Sequence, residues 1–433
     1  MDGSNSLHDF YNQLDDKLYV TNHGMPIAAS VDNLINFITV YQEAFLSSQQ
    51  ELVKCCYRIL DSPLCEQKKA EAIKYFGLRA IESDDTNEIW ILYHILLLGS
   101  REDSHVLKWT RPLGLFGKLR QQVMGMHGPR MQRLAIELMY EMCRIQRLGR
   151  TEMETIDARM IAYLLDLIEH TREDATEDLN YATTKLLLAF NEQFMVLQSC
   201  SPDSEEDNGV IDVLAQDVGR YRTFGESIVF LLNRAAREDH CLQMLILKLL
   251  YLIFNTPETC DLFYTNDLRV LVEVIVREVY DLPANAELLF HTYLRVLGPL
   301  FSNTQLQEAG DKREQVLILL EDLVCERKNY GREISPTTRR LVERARTAVI
   351  GRGRELTYSD SIYNLVEKAP SLPGLTNASD PKAIALSNPS SRHPPASTMR
   401  SAPITSLDPE DVPPTAVAPG LMGERGLANS LVM

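Results

Sequence analysis

The chain of 433 residues is acidic, because 44 Lys and Arg stand against 60 Asp and Glu and give a formal net charge of −16. Nucleic-acid binding needs clustered cations that neutralise phosphates, so this balance excludes a general nucleic-acid binder. An apolar fraction of 45% with 24% charged residues is typical of a soluble globular protein with a large core.

The amino terminus and the apolar windows argue against export and membrane insertion. The chain opens with MDGSN, whereas a secretory signal has basic residues followed by an apolar segment. The most apolar windows, residues 89–98 and 242–254, are interrupted by His94, Gln243 and Lys248. Both are shorter than the roughly 20 residues of a membrane-spanning helix. We therefore expect a cytoplasmic protein whose cysteines are free thiols.

Apolar residues recur at three- and four-residue spacing along almost the whole chain, and no segment has the alternation of a β-strand. The predicted fold class is therefore all-α. Glycine or asparagine at the end of an apolar run predicts a helix end at Gly99, Gly149 and Asn255. Residues that can cap a helix N-terminus predict helix starts at Ser62, Asp85, Thr151, Asp174, Thr223, Thr256 and Ser335.

Three of the predicted helices begin at a regular spacing. Starts near Thr223, Asn266 and Asp311 are 43 and 45 residues apart, and a second helix follows each of the first two, from about Asp239 and Asn285. This period matches the roughly 40–47 residues of armadillo and HEAT repeats. Such helices cannot bury their apolar faces alone, so we predict an armadillo/HEAT-like solenoid of stacked helices.

Composition divides the chain into segments. The acidic loop at residues 199–209 is predicted to separate an N-terminal helical half, residues 1–198, from a C-terminal armadillo-like leucine-rich half, residues 210–350. A basic linker with a short helix, residues 351–368, precedes the tail, residues 369–433. The tail holds 11 of the 20 prolines and neither Trp nor Tyr. It cannot bury enough apolar surface to offset its ordering entropy, so we predict that it is disordered.

Motifs for catalysis and metal binding fail on inspection. The segment GLFGKL at residues 114–119 approaches a phosphate-binding loop, but Pro112 replaces its first glycine and Leu119 replaces the magnesium-binding Ser or Thr. The nine His and eight Cys show no spacing typical of a metal site. We predict neither an enzyme nor a cofactor.

A basic segment stands out in this acidic chain. Residues 327–354 contain nine Lys or Arg and two Glu, a net charge of +7. In the last predicted helix, an apolar stripe is formed by Leu341, Ala345, Ala348 and Val349. The stripe leaves four arginines on the other faces, namely Arg339, Arg340, Arg344 and Arg346. Two interpretations stay open: a solvated face of a capping helix, or a docking surface for an acidic protein.

The tail begins with a P-x-x-P motif next to a cation. Lys368, Pro370 and Pro373 form this motif, which adopts polyproline II and can dock in the aromatic groove of an SH3 domain. A single such motif in a proline-rich tail is also compatible with a plain linker.

Residues 259–282, TCDLFYTNDLRVLVEVIVREVYDL, resemble the leucine-rich domain of the WISH/DIP/SPIN family, the SH3-protein-interacting-with-Nck proteins of animals and their fungal Dip and low-dye-binding relatives. The similarity runs from about Phe224 through Cys325. The animal proteins carry an amino-terminal SH3 domain, which this sequence lacks, so we expect the compact fungal form, with a helical body and a proline-rich tail.

The resemblance implies an armadillo-type body that binds and activates the actin-related protein 2/3 complex without a preformed mother filament. The product would be linear actin filaments that seed branched networks at endocytic, cortical actin patches. The competing hypothesis is an armadillo-like scaffold that links SH3-domain proteins to the actin cytoskeleton. Neither hypothesis involves nucleic acid or membrane insertion.

Residues in the matching helix are the first candidates for the partner contact. Asn266 is predicted as an N-cap and Tyr264 as the end of the preceding short helix, and a turn with a cap explains both without a partner. We expect five residues to be core: Leu268, Leu271, Val272, Ile275 and Val279. Arg269 and Arg277 are the favoured contacts, with Asp267, Glu273 and Tyr264 beside them and the Arg339–Arg346 face second.

Overall fold

The computed structural model describes residues 3–20, 26–125, 128–172, 178–200, 207–235, 239–283, 285–308, 310–325 and 334–351. The predicted helix start at Asp174, the basic linker and the proline-rich tail lie outside these ranges. Within them the structure is entirely helical, which confirms the all-α fold class. None of the described helices is both long and apolar enough to cross a membrane.

The first eleven helices occupy residues 3–200. They are α1 (Gly3–Val20), α2 (Ile27–Phe45), α3 (Gln49–Leu60), α4 (Pro63–Glu82), α5 (Thr86–Glu102), α6 (His105–Thr110), α7 (Leu115–Met124), α8 (Pro129–Ile145), α9 (Arg150–Thr155), α10 (Ala158–His170) and α11 (Asp178–Cys200). A 3₁₀ turn, Arg111–Leu113, joins α6 to α7.

Seven helices follow the acidic loop. They are α12 (Gly209–Gln216), α13 (Arg222–Arg234), α14 (His240–Asn255), α15 (Thr265–Asp281), α16 (Glu287–Ser302), α17 (Gly310–Val324) and α18 (Pro336–Ile350). Two further 3₁₀ turns, Pro257–Leu262 and Gln305–Glu308, precede α15 and α17. The helices α13, α15 and α17 begin 43 and 45 residues apart, as the sequence predicts.

The helices stack in two rows, which confirms the predicted repeat architecture. In the first row each helix packs on the next, in the order α3, α5, α8, α11, α14, α16 and α18. In the second row, α2 packs on α4 and α4 on α7, and α10 packs on α13, α13 on α15 and α15 on α17. Arg120 of α7 joins the two parts of this row, because it donates to the carbonyl of Thr155 at 2.8 Å and pairs with Asp157 at 3.1 Å.

Polar contacts between the stacked helices repeat the same sequence spacing. Residues 40–47 positions apart are joined again and again from one end of the body to the other. Examples are Arg58 with Asp15, Arg79 with Asn36, Leu148 with Gln193, Arg277 with Asn233 and His291 with Thr338. Because each contact links one unit to the next, stability is distributed along the stack as nearest-neighbour interfaces.

The core is one continuous apolar cluster from Phe10 to Val349. The inner helices of the first row, α5, α8, α11, α14 and α16, are buried on most of their circumference, because they have neighbours on both sides within the row and the second row behind. Residues 242–254 of α14 are therefore almost entirely buried, including the polar Gln243 and Lys248. His94 of α5 is buried in the same way. These polar residues interrupt the apolar windows of the sequence but not the core.

Local signals for helix ends gave mixed results. Ser62, Asp85, Thr256 and Ser335 occupy N-cap positions as predicted, and Asn255 is the last residue of α14. The predictions at Gly99, Gly149, Thr151 and Thr223 were wrong. Helix α5 runs through Gly99 to Glu102, and α13 begins at Arg222, so Thr223 lies inside it.

The predicted start at Thr151 and the predicted end at Gly149 fail for one reason. The carboxylate of Glu152 accepts a hydrogen bond from the backbone N–H of Gly149 at 2.6 Å. This bond makes Gly149 the N-cap of α9, and α8 has already ended at Ile145.

Candidate partner-binding surfaces

Helix α15 presents the residues that the sequence favours for partner contact. It begins at Thr265, and Tyr264 occupies the N-cap position without a side-chain cap bond. The predictions that Asn266 caps this helix and that Tyr264 ends the preceding one were therefore wrong. The predicted core stripe is confirmed, since all five of its residues are buried: Leu268, Leu271, Val272, Ile275 and Val279.

The charged residues of α15 pair with the next helix of the second row. Arg269 donates to the carboxylate of Asp311 on α17 at 2.9 Å, and both side chains are about half exposed. Glu273 accepts from Lys312, also on α17. These two ion pairs hold α15 and α17 in register.

Arg277 and Tyr264 face the preceding helix instead. Arg277 donates to the side-chain oxygen of Asn233 on α13 at 2.9 Å and to Glu278 at 2.8 Å. The guanidinium of Arg222, at the start of α13, lies 4.4 Å from the centre of the Tyr264 ring. A partner that binds here would compete with contacts that already join successive repeats.

Asp267 is half-buried in the first turn of α15, where one of its carboxylate oxygens is buried with no hydrogen-bond donor among the described residues. A carboxylate in the first turn of a helix is favoured by the helix dipole. This local role accounts for Asp267 without a partner.

Helix α18 presents a different surface. Its N-cap Ser335 accepts from the backbone N–H of Thr338 at 3.1 Å, and Gly351 ends it with a φ of 87° in the left-handed region. The buried stripe consists of Leu341, Val342, Ala345 and Val349, with Ala348 half-buried. Four arginines are exposed, and in the part of the chain that the structure describes none of them forms an ion pair: Arg339, Arg340, Arg344 and Arg346.

Arg295 of α16 extends this positive surface, and sequence reasoning missed it. Its side chain is partly buried between α14 and α18. Burial lowers the pKa of its guanidinium, the positive charge of Arg344 lowers it further, and Tyr251 opposes the shift. In the sequence, Arg295 is an isolated arginine in an otherwise apolar helix, and nothing there indicates that it belongs to a positive surface.

A groove between α5, α8 and α11 holds a second cation that the sequence did not indicate. The Lys185 ammonium lies 4.3 Å from the centre of the Tyr140 ring and 5.2 Å from that of Tyr181. Burial lowers the pKa of Lys185. The groove encloses about 240 Å³, and its carboxylates Glu137 and Glu141 are already paired with arginines.

The remaining candidate sites are a metal site and an SH3-ligand motif. Among the residues placed by the structure, no group of three or more His, Cys, Asp or Glu could hold a metal ion. The SH3-ligand candidates Lys368, Pro370 and Pro373 lie beyond the described ranges.

The comparisons with known proteins agree with the resemblance of residues 259–282 to the leucine-rich domain of the WISH/DIP/SPIN family. The model of the SPIN90/Ldb17 leucine-rich domain matches residues 176–316, which span α11 to the first half of α17. Protein dip1 of Schizosaccharomyces pombe is 28% identical over 339 residues, which cover 76% of this chain and 90% of that protein. Protein LDB17 of Saccharomyces cerevisiae is 33% identical over 193 residues, 43% of this chain and 37% of that protein.

Solved structures that partly superpose on this one include designed armadillo repeat proteins. One is 13% identical and covers 63% of this chain and 98% of its own length, with a TM-score of 0.34. A second, in complex with a (KR)4 peptide, is also 13% identical and covers the same shares of the two chains, with a TM-score of 0.33. The matches to the SPIN90/Ldb17 leucine-rich-domain model, to dip1 and to LDB17 confirm the resemblance of this chain to the WISH/DIP/SPIN family.

Proposed function

We propose that this protein binds and activates the actin-related protein 2/3 complex without a preformed mother filament and so nucleates linear actin filaments. The observation that carries the proposal is the match of the SPIN90/Ldb17 leucine-rich-domain model to residues 176–316, together with similarity to dip1 over most of both chains. In cells we expect the protein in the cytoplasm at cortical, endocytic actin patches, where linear filaments would seed branched networks.

The proposed mechanism is non-catalytic. A surface of stacked helices binds the inactive complex and has higher affinity for its active, filament-like arrangement. A binder with equal affinity for both arrangements would shift nothing, whereas a population shift from 1:99 to 99:1 needs about 10⁴-fold higher affinity for the active one. No bond is made or broken by this chain, and nucleotide hydrolysis belongs to the partner.

The favoured contact surface is the arginine face of α18, with Arg339, Arg340, Arg344 and Arg346. Arg269, Arg277, Glu273 and Tyr264 are second, because each already contacts a neighbouring helix or residue of the body. Exposed charges that form no ion pair with another placed residue can steer and hold an oppositely charged protein.

The test is pyrenyl-actin polymerisation with the full chain, purified actin-related protein 2/3 complex and no filament seeds. We expect the lag to shorten, and an unchanged lag would show that the proposal is wrong. A variant with Arg339, Arg340, Arg344 and Arg346 all changed to Glu is expected to associate more slowly with the actin-related protein 2/3 complex. Its association rate should also depend less on salt. A control variant, Arg130→Glu with Arg159→Glu, reverses two exposed charges on α8 and α10 and is expected to nucleate as the unchanged chain does; the pair Arg340→Glu with Arg344→Glu matches it in charge.

The scaffold hypothesis makes a separable prediction. A proline-rich tail beside Lys368 is the feature that favours it, because P-x-x-P segments are SH3 ligands. Pro370→Ala with Pro373→Ala is expected to leave nucleation unchanged if the body is the activator. Loss of SH3-domain binding with this variant, together with no nucleation by the unchanged chain, would favour the scaffold.

A further inference from the structure

Two arginines, Arg295 and Arg344, lie near enough to repel each other where α16 packs on α18. His291 of α16 lies 2.8 Å from the hydroxyl of Thr338 on α18, and further along the pair of helices a Cβ on Gly298 would lie 4.0 Å from that of Ala348. The two contacts show that the helices run in the same direction. Arg295 and Arg344 lie between them, and the positive charge of Arg344 lowers the pKa of Arg295.

Arg340 lies on the same side of α18 as Arg344, because residues four apart share one side of a helix. Both are exposed. For Arg295, Arg340 and Arg344 alike, no carboxylate of the described ranges lies within ion-pair distance. Arg295 and Arg344 therefore interact at one edge of the first row, with Arg340 on the same side of α18 as Arg344, and none of the three has a counter-charge among the placed residues.

The pattern is unusual for this protein. Several arginines elsewhere in the body pair with a carboxylate of another helix, as Arg58 does with Asp15, Arg79 with Asp32 and Arg133 with Asp178. At the α16–α18 edge the neighbour of an arginine is another arginine. Two like charges close together cost free energy, and burial of Arg295 adds to that cost. An anion bound between them would remove both penalties.

The chemistry of the three side chains selects the anion. A guanidinium presents planar N–H donors that match the two oxygens of a carboxylate. The net charge of −16 repels extended polyanions such as nucleic acids and anionic membranes, whereas the local charge of +7 over residues 327–354 attracts a short acidic segment at close range. Asp and Glu side chains on a protein segment meet this requirement.

We propose that Arg295, Arg340 and Arg344 form a carboxylate-binding site for an acidic segment of a partner protein. This proposal rests on the proposed function only in assuming that the body binds a partner protein. It adds the chemistry of the segment of that partner that is bound. Arg295 supplies a partly desolvated cation at the base of the site, and Arg340 and Arg344 supply exposed donors at its rim.

The test uses the full chain and a fluorescein-labelled peptide of ten glutamates, with binding followed by fluorescence anisotropy. We expect saturable binding that weakens as salt is raised. Arg295→Gln with Arg344→Gln is expected to weaken binding at least tenfold. Arg130→Gln with Arg159→Gln removes the same charge from α8 and α10 and is expected to change binding less than twofold.

Folding is checked by the melting temperature of each variant. Arg295→Gln removes a partly buried cation from beside another cation, so we expect its melting temperature to stay the same or rise. Arg295→Lys keeps the charge and is expected to retain part of the peptide binding if the variant folds.

Three results would overturn the proposal: no binding of the peptide by the unchanged chain, equal weakening by the control variant, or binding of phosphoinositide vesicles in place of the peptide. The peptide assay contains neither actin nor the actin-related protein 2/3 complex. Its failure would therefore leave the nucleation result standing, and a failed nucleation assay would leave a positive peptide result standing.

Discussion

Lys248 of α14 and Glu192 of α11 form an ion pair inside the core. The Lys248 ammonium lies 2.7 and 2.9 Å from the two carboxylate oxygens of Glu192, and both side chains are at least 95% buried. The pair joins α11, which precedes the acidic loop at residues 199–209, to α14, which follows that loop after α12 and α13. The first row of helices therefore continues directly from α11 to α14.

Removal of one partner of this pair is expected to be strongly destabilising. Lys248→Met leaves the Glu192 carboxylate buried without a counter-charge, which costs about 3–5 kcal/mol in the free energy of unfolding. Urea unfolding followed by circular dichroism measures the change. Lys248→Met with Glu192→Leu replaces both charges by apolar groups and is expected to recover most of the loss.

The control for this prediction is Arg150→Met. Arg150 pairs with Glu154 on the surface, where both side chains are largely exposed. Exposed pairs contribute about 0.2–1 kcal/mol. A loss for Lys248→Met no larger than that for Arg150→Met would contradict the interpretation of Lys248 as a buried, paired charge.

Acid sensitivity is expected to come in part from His94. Its pKa is lowered from 6.5 to about 4, because burial, aided by the charges of Arg133 and Arg101, outweighs a hydrogen bond with the carbonyl of Trp90. Because the unfolded chain takes up the proton first, this contribution to stability is fully present above about pH 6.5 and is lost as the pH falls towards 4. A shift of this size corresponds to roughly 3 kcal/mol.

The measurement compares the unchanged chain with His94→Gln between pH 7 and pH 4.5. Other groups titrate in both proteins, so only the difference between the two unfolding free energies is assigned to His94. We expect the unchanged chain to lose more stability over this interval. Parallel curves would show that His94 is protonated in the folded protein as readily as in the unfolded chain.

Two glycines in helices should respond to alanine in opposite ways. A Cβ at Gly77 of α4 would lie 2.6 Å from Cγ2 of the buried Thr110 on α6, closer than packed atoms approach. Overpacking at this crossing is expected to cost about 1–3 kcal/mol. Gly117 of α7 is exposed and has nothing within 4 Å of the added Cβ, so alanine there is expected to gain about 0.5–1 kcal/mol.

Thermal unfolding of the two variants measures this contrast directly. Gly117→Ala serves as the control, because it makes the same chemical change in a helix without the close approach. A rise in melting temperature for Gly77→Ala would mean that α6 can move away from α4 without loss.

A charge exchange separates the two possible roles of Arg269. Arg269→Glu breaks the pair with Asp311 and brings two carboxylates together, at an expected cost of about 0.2–1 kcal/mol. Arg269→Glu with Asp311→Arg restores the pair and is expected to recover the lost stability. If Arg269 only joins α15 to α17, the double variant should also nucleate actin filaments as the unchanged chain does.

The contrary outcome is equally informative. Recovery of stability without recovery of nucleation would place Arg269 in the partner contact, because the guanidinium would then be needed at that position on α15. Unfolding and pyrenyl-actin assays on the same preparations provide both measurements.

Local patterns in the sequence were sufficient for the fold class and for the repeat. The apolar spacing that predicts helices also predicts which residues of α15 are buried, because one side of a helix can be derived from neighbouring residues alone. The spacing of 43 and 45 residues between helix starts appears unchanged in α13, α15 and α17. Helix ends were predicted less well, since Tyr264 rather than Asn266 precedes α15 and a contact three residues away decides that Gly149 caps α9.

The roles of the charged residues were decided only by tertiary structure. In sequence, Arg269 and Arg277 are exposed charges on one helix, and Arg295 and Lys248 are isolated cations in apolar helices. The stacking of units brings Asp311 to Arg269, Arg344 to Arg295 and Glu192 to Lys248, across 42 to 56 residues. The apolar period specifies that helices stack, but the register of one helix against the next sets which charges meet.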